Sequence, residues 1–196
     1  MAKVKITLLT WIILTTSFFP QTAYANDLRI WDQLQGSNPK GYVLLIRHAL
    51  APGSGDPVNF KVNDCSTQRN LSEQGRLEAK EIGEWLARRK VKVFRVESSR
   101  WCRAKETAQI LNIGKVVLNK NLDSLLGESD LPNHKQTVNI KKRIVNHRNT
   151  SGLLVFVGHF VNFQAAVGAS LDSGEGVLVK ANAKGEIQIV GTSPKP

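Results

Sequence analysis

Two histidines and two arginines carry the chemistry this chain could perform. His48 directly follows Arg47, Arg103 closes the stretch Ser98 to Arg103, and His159 follows Gly158. A neutral imidazole is a good nucleophile toward phosphorus, and a second, protonated imidazole can steady the equatorial oxygens during transfer. Arginine presents a planar fork that matches phosphate oxygens. Gathered around one point, these residues predict phosphoryl transfer through a phosphohistidine, with side-chain charge in place of a metal. No metal site or other cofactor is expected, because the chain holds no C-x-x-C pair and no H-x-x-x-H pair.

The elements that must bring them together can be read from apolar patterning. Tyr42 to Ile46 is a continuous apolar run ending at Arg47-His48, which reads as a buried parallel strand. Val93 to Val96 and Val116 to Leu118 read as further strands, and Leu153 to Val157 as a fully apolar one ending at Gly158-His159. Ser72 is an N-cap for a helix reaching about Arg89, with Gly75, Ala79, Ile82 and Leu86 on one face. A helix follows Ser98-Ser99 with Ala104, Ala108 and Leu111 inward. Another spans Thr137 to Arg148 with Val138, Ile144 and Val145 inward, and a short one spans Val161 to Gly168. Val177 to Lys180 and Glu186 to Val190 predict a closing hairpin around Asn182–Gly185. A helical turn near Trp31 and Leu34 precedes all of these. Ala51 to Asn70 is a long Gly/Pro/Asp/Asn-rich loop, a length usually tied to function. Alternating strands and helices predict an α/β, three-layer α/β/α sandwich with a mostly parallel sheet, whose ligands sit beyond the carboxyl ends of the strands. Three strand ends then present the two Arg and two His to one edge.

Tyr42-Val-Leu-Leu-Ile-Arg-His48 followed by Leu71-Ser-Glu-Gln-Gly75 resembles the opening of the histidine phosphatase superfamily, phosphoglycerate mutase-like, branch 1. Ser98-Ser-Arg-Trp-Cys-Arg-Ala-Lys-Glu-Thr-Ala108 is similar to that family's Ser-x-x-x-x-Arg-Ala-x-x-Thr-Ala signature, and Val157-Gly-His159 to its second histidine. The resemblance covers about Tyr42 to Gly168. It implies a phosphomonoesterase in which His48 is phosphorylated, Arg47 and Arg103 bind phosphate, and His159 completes the pocket, with Arg100 a rim cation. The family's acid is usually a Glu after the third strand; Glu128 is the first choice, and Asp56, Glu175, Asp123 and Asp130 stay open. Ala49 stands where the family usually has Gly, and Phe160 where a small residue is common. The Gly53 to Pro57 loop, Asp64-Cys65 and Ser173 to Glu175 resemble a small exported subgroup related to the phosphatase of lipopolysaccharide core heptose, which implies a phosphorylated envelope sugar as one substrate option.

The chain has 196 residues, 41% hydrophobic and 22% charged, which excludes a wholly disordered, collagenous or coiled-coil protein. Lys3 and Lys5, an uncharged stretch from Ile6 to Phe19, Pro20 and Ala23-Tyr24-Ala25 predict a signal peptide over 1–25, cut after Ala25. Residues 26–196 then form a single domain in the periplasm, with no stable membrane span after cleavage. Losing Lys3 and Lys5 lowers the net charge from +11 to +9. No nucleic-acid motif accompanies that charge, so the expected partners are small phosphorylated substrates or a phosphorylated lipopolysaccharide sugar. Cys65 and Cys102 are the two cysteines, and export predicts that they pair. His134, His147 and the Lys141–Arg143 run are expected on the solvated surface. A non-catalytic phosphate-ligand binder on the same fold is the alternative, though binding alone needs no nucleophile. Export argues against a glycolytic mutase.

Overall fold

The computed structural model describes residues 29–35 and 39–193. The predicted signal peptide lies outside the described residues. Six strands form one sheet: β1 (Tyr42–Arg47), β2 (Val93–Ser98), β3 (Val116–Leu118), β4 (Leu153–Gly158), β5 (Gly176–Ala181) and β6 (Ile187–Ser193). Their spatial order is β3-β2-β4-β1-β5-β6. The first four are mutually parallel, while β5 runs antiparallel to β1 and β6 antiparallel to β5. The helices are α1 (Glu73–Arg88), α2 (Cys102–Ile110), α3 (Lys135–His147) and α4 (Phe160–Val167). This is the expected three-layer α/β/α architecture with a mostly parallel sheet.

The continuous apolar runs follow from coverage on both faces. Leu44, Ile46, Val155 and Val157 pack with Ile82 and Leu86 of α1, Ala104 and Ala108 of α2, and Trp31 and Leu34 of the helical segment 29–34. Their neighbours Val43, Leu45, Leu154 and Phe156 point the other way, onto Ile140 and Ile144 of α3 and Phe163 and Ala166 of α4. Side chains alternate across a strand, so a strand with helices on both sides must be apolar at every position.

Local chemistry sets the helix ends. The Ser72 side chain accepts from the Gly75 backbone N–H at the start of α1, as its sequence predicts. Gly168 ends α4 in the left-handed conformation at φ 75°. The inner face of α3 differs from expectation. Thr137, Ile140, Ile144 and His147 are buried, while Val138 and Val145 are only partly so. The i, i+3, i+7 and i+10 spacing from Thr137 is as helical as the all-aliphatic choice, and it includes a histidine that patterning by hydrophobicity overlooks.

His147 is therefore not a surface residue: it is 0% exposed, and its Nε2 lies 2.9 Å from the Gly152 carbonyl oxygen. Burial lowers its pKa. Arg143 is likewise not merely solvated; its guanidinium pairs with buried Glu97 at 2.8 Å.

Gly83 lies where α1 crosses α2. A Cβ there would stand 2.2 Å from the Leu111 carbonyl oxygen, a backbone atom that cannot swing aside. Gly83→Ala should therefore cost about 1–3 kcal/mol through helix displacement, read as a lower urea midpoint at unchanged m-value.

Candidate active site

The carboxyl ends of β1, β4 and β2 lie side by side, and the strand ladder continues one residue past them. The His48 N–H donates to the Gly158 carbonyl at 2.9 Å, and the Ser99 N–H donates to the Val157 carbonyl at 2.9 Å. These bonds fix the backbone beneath both histidines. The ring centroids of His48 and His159 are 5.4 Å apart, and the two side chains are 2% and 3% exposed.

α2 delivers the cation. The Thr107 hydroxyl donates to the Arg103 carbonyl at 2.7 Å and accepts the Ala49 N–H at 3.1 Å. One threonine thus ties the start of α2 to the residue after His48. Arg103 is 2% exposed, and its Nε–H donates to His48 Nε2 at 3.2 Å. On the other side of the ring, His48 Nδ1 lies 2.8 Å from its neighbour's Ala49 carbonyl. A carbonyl can only accept, so Nδ1 carries the proton and Nε2 keeps its lone pair.

Asp56 holds Arg103 from outside. Its Oδ1 and Oδ2 accept from Nη1 and Nη2 at 2.8 and 3.1 Å. The same carboxylate accepts from the Arg69 N–H at 3.1 Å and Trp101 Nε1 at 3.0 Å. Asp56 is drawn toward the ionised form: burial works against this, but the hydrogen bonds and charge of Arg103, with the other donors, outweigh it. Asp56 uses the terminal-nitrogen edge of the guanidinium, so the Nε edge remains turned to His48.

Arg69 is a further cation at the site. Its Nε donates to the Gly55 carbonyl at 2.9 Å and its Nη1 to the Ala51 carbonyl. Arg47 donates from Nη1 to the Leu171 carbonyl at 2.9 Å and stacks on Phe160, 5.1 Å from the ring centre, while its Nε is buried without a hydrogen-bond partner among the described residues. Phe160 thus forms a platform for Arg47 and is itself 39% exposed. Burial, then the charges of Arg103, Arg47 and Arg69, push His48 down to about 3, against the favourable bond to Ala49. Burial lowers His159 well below its ordinary value too, with the charges of Arg103, Arg69 and Arg47 adding to it.

Sequence reasoning placed Arg47, His48, Arg103 and His159 together, and the structure gathers them. Glu128 is exposed, and its carboxylate makes no hydrogen bond or ion pair among the described residues. Asp123 receives Arg100 Nε at 2.7 Å and reaches His159 only through the Ser99 hydroxyl. Arg100 is therefore ion-paired with Asp123, with its side chain still partly exposed. Asp130 bonds Asn133, and Glu175 accepts from the Asp172 N–H at 2.8 Å. Among the five carboxylates left open, Asp56 touches the cluster. Arg69 was missed; its position in the long loop was the available signal, but loop residues have no periodicity that aims them.

A disulfide joins Cys65 to Cys102, with Cα atoms 5.7 Å apart. It ties the loop carrying Asp56 and Arg69 to the first turn of α2. Gln68 reinforces the link, accepting the Cys102 N–H at 2.9 Å. Trp101 lies between, stacked on Phe60 at 4.8 Å and edge-on to His159 at 5.9 Å. Among the described residues, no helix is long and apolar enough to cross a membrane.

The family model of the histidine phosphatase superfamily (branch 1) matches residues 43–150. No curated protein matches the chain in sequence. Among solved structures, the chain is similar to the protein histidine phosphatase SixA complexed with tungstate. That likeness is at 17% identity and TM-score 0.55, over 77% of this chain and 95% of that one. It is also similar to phosphoserine phosphatase from Entamoeba histolytica in complex with 3-phosphoglyceric acid, at 13% identity and TM-score 0.58, over 79% and 97%. At these identities the likeness is one of fold.

Neutral, buried histidines make the site acid-sensitive. Below the ordinary histidine pKa of 6.5 the unfolded chain takes up protons that folded His48 refuses until about pH 3. Stability should fall with pH across that window, by about 2 kcal/mol for His48 alone between pH 6.5 and pH 5. Urea midpoints measured at those two pH values should show the drop, and His48→Gln should reduce it. An equal drop in both proteins would refute the assignment.

Proposed function

The chain belongs to the histidine phosphatase superfamily (branch 1) and is an enzyme of the phosphatase class, and from that premise we propose that it hydrolyses phosphomonoesters through a phosphohistidine on His48. The observation that carries this reading is the polarity of the His48 ring. Nδ1 is tied to the Ala49 carbonyl, and Nε2 presents its lone pair beside the Arg103 Nε–H at 3.2 Å. A phosphoryl group at that point meets nucleophile and cation together.

The steps follow from the groups present. The His48 Nε2 lone pair forms the N–P bond as the ester P–O bond breaks. The leaving oxygen takes its proton from the solvent side of the site. Water then attacks phosphorus, the N–P bond breaks, and Nε2 recovers its lone pair. Arg103, Arg47 and Arg69 offset the charge on the equatorial oxygens, which gives the site a source of charge compensation without a metal. The depressed pKa of His48 keeps the nucleophile unprotonated throughout the physiological range. Asp56 is not the proton donor in this scheme, since it is held ionised by four hydrogen bonds. Its role is to aim Arg103.

The place of action in this reading is outside the cytoplasm, the periplasm in a Gram-negative host. The N-terminal sequence and the Cys65–Cys102 disulfide support export. The substrates within reach there are phosphomonoesters of the envelope, a phosphorylated lipopolysaccharide sugar among them, and the net charge of +9 left when cleavage removes Lys3 and Lys5 from the +11 chain favours such anions.

Hydrolysis of para-nitrophenyl phosphate tests the reading. His48→Ala should lose about a thousandfold or more in kcat, and equal turnover by both proteins would remove the proposal. Asp56→Asn should lower kcat/KM on the order of tenfold with the shape of the pH profile kept. Loss of one limb of that profile would make Asp56 a proton donor instead.

A further inference from the structure

Behind His159, on the side away from His48, lies a short hydrogen-bonded chain. His159 Nε2 is 3.0 Å from Ser99 Oγ, and Ser99 Oγ is 3.4 Å from Asp123 Oδ1. Ser99 is fully buried, and Asp123 is 5% exposed. Asp123 is held rigidly: it receives the Arg100 N–H at 2.9 Å and Arg100 Nε at 2.7 Å, while its own carbonyl accepts from Asn162 Nδ2 at 2.8 Å and Gln136 Nε2 at 2.9 Å.

A hydroxyl has one proton and two lone pairs. One lone pair of Ser99 Oγ takes the Trp101 N–H at 3.2 Å. With His159 neutral, the hydroxyl proton has two acceptors to choose between, His159 Nε2 and Asp123 Oδ1. With His159 charged, both ring nitrogens carry protons. Nε2–H must then donate to the remaining lone pair of Ser99, and the hydroxyl proton has only Asp123 left. Every polar atom in the chain is satisfied in either state, and a rotation of one hydroxyl converts them.

We infer that Ser99 and Asp123 are positioning residues that allow His159 to take up a proton when a phosphate dianion enters the site. The inference rests on the phosphatase reading only for what the pocket accommodates. In the free protein, burial and the facing cations Arg103, Arg69 and Arg47 keep the proton off His159. A dianion among those guanidiniums offsets their charge. The proton, drawn from solvent, then settles on a ring whose far side already has an acceptor backed by a carboxylate. With Nε2–H donated to Ser99, Nδ1–H is left for the phosphate, and the buried charge is paired from both sides. Arg100 bears on the same carboxylate from the solvent side, so Asp123 is shared between a fixed cation and a switchable one.

The test uses the whole protein labelled with nitrogen-15 and inorganic phosphate as the probe. At pH 7, the ring-nitrogen shifts of wild-type His159 should be those of a neutral imidazole without phosphate and of an imidazolium at saturation. In Ser99→Ala the ring should stay neutral in both, and the apparent Kd for phosphate should rise about tenfold. Ser99→Thr, which keeps the hydroxyl, should restore both readouts. Asp123→Asn, which keeps an oxygen but not the charge, serves as the second variant should Ser99→Ala fail to fold; its His159 should also remain neutral with phosphate bound. Circular dichroism melting checks that each variant is native. The inference is overturned if His159 charges normally in Ser99→Ala, or in Asp123→Asn where that variant decides. It is equally overturned if wild-type His159 stays neutral with phosphate bound, or if the wild type binds no phosphate. Absence of phosphomonoester turnover with these shifts intact would instead remove the catalytic reading and leave the relay standing.

Discussion

Positive charge held close around two uncharged imidazoles is the constraint on which the rest of this molecule depends. Three guanidiniums in a partly buried site repel one another and discourage protonation of any histidine beside them. That arrangement is tolerable because each guanidinium has a fixed counterpart: Asp56 for Arg103, loop carbonyls for Arg69, and the Leu171 carbonyl and the Phe160 ring for Arg47. The long loop after β1, which looks dispensable to the sheet, supplies most of those counterparts. The disulfide and Gln68 then anchor that loop to the helix whose arginine it orients.

The sheet places these groups, and helix α2 adjusts them. β1, β4 and β2 set the separations between His48, His159 and Ser99 through hydrogen bonds between backbones, which are insensitive to side-chain identity. Thr107 sets the depth at which Arg103 enters, through one hydroxyl shared between α2 and the segment after His48. Ala49 in place of the family's usual glycine is accommodated because its N–H, not its side chain, makes the link to Thr107. The cysteine beside Arg103 does not displace the motif either, since its side chain points into the bridge.

Much of this was legible in the sequence, for definite reasons. β1 and β4 are written as unbroken apolar runs because both faces are covered, and the residues that end such runs are aimed by the rigid backbone. That is why Arg47, His48 and His159 could be placed without coordinates. Arg103 was placed through the signature it shares with a family. The remainder was hidden by three physical facts. The aim of Asp56 and Arg69 is decided by loop conformation, which has no period to read. Glu128 was chosen by its position after the third strand, and position along the chain says little about direction in a turn. His147 and Arg143 were taken for surface residues on polarity alone. A helix face can bury a histidine if a carbonyl such as that of Gly152 lies within reach, and an arginine can lean inward to a buried carboxylate such as Glu97.

The double coverage of the sheet has one more implication. In β1 and β4, sliding the chain by one residue would exchange one aliphatic row for another, Leu44 and Ile46 for Val43 and Leu45, at little loss of oil-like packing. Apolar burial by itself therefore discriminates poorly between alignments of these strands. What tells them apart lies at their tips, where a slipped chain would drive an arginine under a helix and strand a histidine from its carbonyl. The residues of the candidate site are thus also the punctuation marks by which the folding chain finds its alignment, so a substitution there risks mispairing.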